Sequence, residues 1–272
     1  MTYAEKLSTR ITQTGSALCV GLDPRVERIN SAALTQANGD IIQALEVELK
    51  TLIESVANLT AAFKPNMAYF EALGIEGLQL LERIIEYIPQ DIPIILDAKR
   101  SDIGETQKYY AKSYFELMDV DAVTLNPFMG YDSIEPFLDY EGKGVYLLAV
   151  TSNAGSMDIQ RRKVGEQYVY EWVGEMATRA VKESRATSVG LVVGLTNAGD
   201  AEVLNRLPDV PLLMPGLGAQ GGAVDVLKER TFEAPSLINV SRGVAYPPAG
   251  ITQLQAAQQF AAQIADGFNI KR

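Results

Sequence analysis

No histidine occurs anywhere in the 272 residues. That absence removes the serine and cysteine triads, histidine metal triads and imidazole acid–base chemistry together. Any proton chemistry must therefore fall to Lys, Asp, Glu or Tyr. There is a single cysteine, Cys19, which excludes an internal disulfide and a cysteine cluster for zinc. It lies in the apolar run Ala17 to Val20, where a small buried hydrophobe is expected. Positive charge is in deficit: 24 Lys and Arg stand against 34 Asp and Glu, a formal charge of −10. This balance argues against partnership with nucleic acid or an anionic membrane, and it demands a local basic site for any anionic substrate. No apolar run approaches membrane-spanning length, and residues 1–10 lack the apolar segment of a secretory signal. A soluble cytoplasmic protein is the default expectation.

What is present is a regular alternation. Apolar strand-like runs fall at Leu18 to Leu22, Ala61 to Phe63, Ile92 to Leu96 and Ala122 to Leu125. Four more follow at Val145 to Val150, Val189 to Leu195, Pro211 to Met214 and Leu237 to Val240. Amphipathic helical stretches separate most of them: Ile41 to Leu59, Ile75 to Ile88, Gly104 to Met118, Tyr168 to Lys182, Ala201 to Leu207, Gly222 to Lys228 and Ile251 to Phe268. Strands alternating with helices imply parallel pairing through crossovers. Eight strands, this length and the lack of a Pro/Ser-rich linker predict one α/β domain over residues 1–272, a closed (β/α)8 TIM barrel. In such barrels the chemistry sits where the strands end.

The most charged strand end is the third. The run Pro93 to Leu96 passes into Asp97-Ala98-Lys99-Arg100-Ser101-Asp102. Alternation along a strand puts Asp97 and Lys99 on the same side, and Asp102 follows where the chain turns into a helix. Two acids thus bracket one amine, and flanking carboxylates favour its ammonium form, which suits a proton donor. A structural reading stands beside this one. Asp102-Ile103-Gly104-Glu105 also fits a helix cap with a capping-box glutamate, and Asp97 with Lys99 fits an ordinary ion pair.

The last two strand ends point to an anion. Gly216 to Gly222 offers backbone N–H groups at the start of a helix, and Ser241-Arg242-Gly243 brings an arginine to the neighbouring end. Phosphate sites recur at these two positions of the barrel. Lys64 and Asp23 add a cation and an acid at the second and first strand ends.

Taken together, these residues resemble the orotidine 5′-phosphate decarboxylase family, in its longer bacterial (type 2) branch, over essentially the whole chain. Asp97-x-Lys99-x-x-Asp102 matches the family signature. Phe63-Lys64-Pro65-Asn66, Gly216-x-Gly218-Ala219-Gln220-Gly221-Gly222 and Ser241-Arg242-Gly243 match as well. Ser101 departs from the glycine common in this branch, outside the charged positions. The resemblance implies decarboxylation of orotidine 5′-monophosphate to UMP in pyrimidine biosynthesis, without cofactor or metal, by a homodimer. It makes Lys99 the proton donor to C6 of the pyrimidine, in an array with Lys64, Asp97 and Asp102. Asp102 and Thr106 would complete the partner's site. Asp23 and Lys64 would hold ribose hydroxyls, Ser152 the pyrimidine amide, and Gln220, Arg242 and Gly243 the 5′-phosphate. Two alternatives remain at this stage: a magnesium-dependent sibling of the hexulose-phosphate synthase type, and a nucleotide-binding barrel without catalysis.

Overall fold

The computed structural model describes residues 1–198, 201–217, 224–228 and 231–270. Eight parallel strands form a barrel: β1 (Leu18–Leu22), β2 (Ala62–Pro65), β3 (Ile95–Arg100), β4 (Ala122–Leu125), β5 (Gly144–Val150), β6 (Ser188–Val193), β7 (Leu212–Pro215) and β8 (Leu237–Val240). Their spatial order follows the chain from β2 through β1 and back from β8 to β3. Isolated parallel bridges Phe63–Ile94 and Asn66–Asp97 join the remaining pair, with the Phe63 N–H donating to the Pro93 carbonyl at 2.9 Å. The expected barrel is present.

Strand limits follow backbone pairing more than apolar composition. β4 and β8 coincide with their apolar runs, whereas β3 starts later than Ile92 and runs through the charged residues to Arg100. A ladder is made by backbone groups, so charged side chains at the barrel mouth do not end it. The run Val189 to Leu195 ends as a strand at Val193, and Leu195 already begins a short helix.

The outer layer is less uniform than the sequence pattern suggests. Regular helices cover Ile41–Val56, Gly74–Tyr87, Val169–Lys182 and Gln253–Gly267. In the first of these Leu45, Leu49, Leu52, Ile53 and Val56 form the buried stripe expected at helical spacing. The stretch expected as one helix over Gly104 to Met118 instead passes from α-helix (Gly104–Ala111) to a π-helical segment (Lys112–Leu117). The β4–β5 connection uses three short 3₁₀ turns, and only one such turn, Val224–Leu227, is described in the stretch Gly222 to Lys228. Among the described residues no helix is long and apolar enough to cross a membrane.

Of the helices outside the expected stretches, one is long. Tyr3–Thr14 starts with a reciprocal Thr2/Glu5 capping box and stops at Gly15, whose φ of 66° suits glycine. Its fully buried Tyr3 and Leu7 close the lower end of the barrel, packed with Ile95, Ala122, Tyr146, Leu213 and Leu237. The Tyr3 and Tyr146 hydroxyls lie 3.0 Å apart, so one donates to the other inside the core. Cys19 belongs to this same inner layer, as its apolar context implied, and burial pushes its thiol up to about 12. Among the described residues, the closed lower end leaves the opposite rim as the open side of the interior.

Candidate active site

At that rim the strand ends surround a cavity of about 700 Å³. Its floor is made by inward-facing residues of the successive strands β2 to β8: Lys64, Asp97, Thr124, Leu148, Val192, Leu213 and Asn239. Aliphatic side chains cover the part of the floor on β5 to β7. The charged groups collect on β1 to β3, and Arg242 stands at the β8 side of the mouth.

Asp97 is the centre of the charge arrangement. One of its oxygens accepts from Lys64 Nζ at 2.7 Å, and the other accepts from Lys99 Nζ at 2.5 Å. Side-chain exposures of 5% for Lys64, 11% for Asp97 and 48% for Lys99 show a buried pair with an accessible third member. Burial by itself would raise the Asp97 carboxyl, but the charges of Lys64 and Lys99 outweigh it and hold the group far below the usual carboxylate range. For Lys64 burial works against the ammonium form, and Asp97 and Asp23 more than restore it, so its pKa is raised.

Asp97 and Lys99 meet, yet simple alternation is not the cause. Leu96 pairs with Val123 and Arg100 with Leu125, so Asp97, Ala98 and Lys99 together lie opposite the single residue Thr124. Lys99 sits in the left-handed region at φ 49°, uncommon for a residue with a β-carbon. The expected strand geometry is therefore replaced by a bulge, and the ladder resumes with the Asn126 N–H donating to the Arg100 carbonyl at 2.9 Å. The helix-cap reading of Asp102 also fails. Ile103 is the residue preceding that helix, it makes no side-chain cap, and Asp102 instead accepts from the adjacent Ile103 N–H.

The β1 and β8 ends form the second half of the site. Ser241 Oγ donates to one oxygen of Asp23, whose other oxygen is buried and has no hydrogen-bond partner among the described residues. Such an orphaned acceptor is costly unless a donor arrives. Gly21 makes the approach possible, since a β-carbon there would lie 2.6 Å from Ser241 Cβ. Gly194 does the same for the β5 end, where a β-carbon would lie 2.6 Å from the Ser152 nitrogen. Arg242 is exposed at the mouth, opens a one-turn helix with Gly243, and makes no ion pair among the described residues.

Lys64, Asp97, Lys99, Asp23, Ser152 and Arg242 thus share one cavity, while Gly243 lies just behind Arg242. Asp102 and the exposed Thr106 do not line the cavity of their own chain. Gln220 lies outside the described residues. Gly216, at φ 117°, and Leu217 are the described part of the glycine-rich loop, and both face the cavity. The described helical element after that loop is one 3₁₀ turn, so no long helix dipole can be invoked there.

Several polar lining residues escaped the sequence reading, among them Arg25, Tyr69, Asn239 and Thr124. Arg25 donates to the Tyr69 hydroxyl at 2.6 Å and lies over that ring. Asn239 is buried, and its side-chain oxygen has no hydrogen-bond partner among the described residues. Thr124 carried a signal: it is the one polar residue inside the apolar run Ala122 to Leu125. Among the described residues no group of three or more Cys, Asp and Glu could hold a metal ion.

With this geometry in place, three comparisons are informative. The family model for orotidine 5′-phosphate decarboxylase / HUMPS matches residues 16–256. The orotidine 5′-phosphate decarboxylase of Thermomicrobium roseum is 39% identical, covering 98% of this chain and 94% of its own. That of Delftia acidovorans is 41% identical, with coverage of 97% and 96%. The structure of Leishmania donovani OMP decarboxylase is 38% identical and superposes with a TM-score of 0.81, covering 97% of each chain. A match of this extent, in sequence and in fold, places the chain in the orotidine 5′-phosphate decarboxylase / HUMPS family.

Proposed function

We propose that the chain converts orotidine 5′-monophosphate to UMP and CO2, as a step of pyrimidine biosynthesis. The observation that carries this reading is the Lys64–Asp97–Lys99 array at the floor of a cavity whose mouth holds Arg242. Breaking the C6–carboxylate bond leaves the electron pair on C6 as a vinyl carbanion, which no ring carbonyl delocalises well. Its stabilisation has to be electrostatic, from a fixed positive charge beside C6 in a site shielded from water. Lys99 is the accessible cation of the array, and in this reading it transfers a proton from Nζ to C6. Asp97 keeps Lys99 in place, and Lys64 offsets the second carboxylate oxygen.

The remaining groups hold the substrate. The orphaned Asp23 oxygen accepts from a ribose hydroxyl, with Lys64 beside it. Ser152 meets the pyrimidine amide, and Arg242 with the Gly243 backbone takes the 5′-phosphate by charge-assisted hydrogen bonds. Gln220 has the same phosphate role by its place in the glycine-rich loop. Phosphate contacts remote from C6 contribute to the rate when they are strongest in the closed, reacting complex.

Asp102 and Thr106 are assigned to the site of a second subunit in a homodimer. Their position beside the exposed apolar residues Ile103 and Tyr109 supports that reading. The array itself uses Lys64 where a divalent cation would need a carboxylate, which disfavours the magnesium-dependent alternative. The test is direct: purified protein, orotidine 5′-monophosphate and excess EDTA, with loss of the orotate absorbance followed over time. Turnover unaffected by the chelator is expected; no turnover overturns the proposal.

A further inference from the structure

Thr124 closes a hydrogen-bonded ring around Lys99. Its Oγ accepts from the Lys99 backbone N–H at 2.9 Å and lies 2.9 Å from the Asp97 oxygen that also receives Lys99 Nζ. The direction of each bond is fixed by chemistry. A backbone N–H can only donate, and an ionised carboxylate can only accept. Between them the group must accept from one side and donate to the other, which a hydroxyl does and a methyl cannot. Thr124 is 1% exposed, so no bulk water is at hand to take over either bond.

The bulge explains why such a group is needed. With three residues of β3 opposite Thr124, the Lys99 N–H loses the carbonyl that a regular ladder would supply, and its backbone occupies a left-handed conformation. Strained backbone of this kind persists when its surroundings over-determine it. The threonine hydroxyl supplies the missing acceptor, and by the same atom orients the carboxylate that fixes the other end of the lysine.

We infer that Thr124 is a positioning residue for the proposed reaction, holding Lys99 at its backbone through Oγ and at its ammonium through Asp97. The inference rests on the decarboxylase reading, and the experiment separates the two. Wild-type protein, Thr124→Val and Thr124→Ser are compared for kcat, KM, UMP affinity by calorimetry, and thermal unfolding. Thr124→Val, which keeps the shape and removes the hydroxyl, should lower kcat at least about tenfold, with KM and UMP affinity within about threefold. Thr124→Ser should recover most of that loss, because it restores both hydrogen bonds. An inert wild type defeats the decarboxylase reading and this one with it. An active wild type defeats the positioning role alone if the valine variant keeps kcat within twofold, loses UMP affinity as much as kcat, or is matched by the serine variant. Should the valine variant fail to fold, the serine variant alone decides: kcat within about threefold of wild type supports the role, and a loss of tenfold or more overturns it.

Discussion

Lys99 and Asp97 touch at 2.5 Å, but their environments assign them different liabilities. The Lys99 side chain is 48% exposed, so deleting it costs the fold little, under about 1 kcal/mol for a pair of that exposure. Lys99→Ala should therefore unfold close to wild type while turnover of orotidine 5′-monophosphate falls at least about 100-fold, the loss of about 3 kcal/mol of transition-state stabilisation. Asp97→Ala should damage both, because it leaves the buried Lys64 ammonium without its nearest counter-charge. A stability loss of about 3–5 kcal/mol is expected, read from the urea midpoint. Equal stability of the two variants would contradict the buried-pair description. Arg242 differs again: exposed and unpaired among the described residues, it is available to an incoming anion. For Arg242→Ala, KM should rise about 10-fold or more with a smaller change in kcat, and steady-state kinetics would show an unchanged KM if the phosphate lies elsewhere.

Among the elements, the helix Tyr3–Thr14 and the end of β3 occupy opposite ends of the barrel. The helix supports the fold from below through Leu7, which is fully buried in the inner layer. Leu7→Ala should lower unfolding free energy by about 2–5 kcal/mol and leave kcat at 25 °C within twofold, since its cluster reaches the cavity only through the aliphatic floor residues Leu148, Val192 and Leu213 and includes none of the charged site groups. A large fall in kcat for this variant would mean that the two ends are coupled. The β3 end shows how far an element can depart from its sequence signature. Apolar runs located all eight strands, because a strand buried on both faces needs apolar side chains in any register. The same logic cannot find a bulge, whose existence depends on what β4 offers opposite it. The capping box at Thr2/Glu5 was legible in principle, with Tyr3 and Leu7 at helical spacing behind it.

For the whole molecule, the absence of histidine becomes a statement about pH. No imidazole is available to change charge between about pH 5 and 8, and the one thiol is buried and pushed up to about 12. The two buried site charges bound the window on either side. Asp97 has a depressed pKa, so its contribution to stability is fully present above the unfolded carboxylate range near about pH 4 and is lost as pH falls below it. Lys64 has a raised pKa, so its contribution is fully present below the unfolded lysine value near about 10.4 and is lost as pH rises beyond it. The thermal midpoint should stay nearly level from about pH 5 to 9 and drop outside that range, with a weaker acid limb in Asp97→Asn. A midpoint that slopes through pH 6 to 7 would point to a further titrating group.

The chain by itself determined the barrel, through eight apolar runs at regular spacing, and it determined which residue types were left for chemistry once histidine was missing. It also placed Lys64, Asp97, Lys99, Asp23, Ser152 and Arg242 at strand ends, because in a parallel barrel every strand delivers its last residues to the same rim. Which of those residues touch was decided only by the closed structure. The contact between Asp97 and Lys99 depends on a bulge set by register against β4. The pairing of Asp23 with Ser241 depends on a missing β-carbon at Gly21. Thr124 gained its place because a hydroxyl on one strand met an unpaired N–H on the next. Such meetings join residues far apart in sequence, and no local pattern along the chain records them.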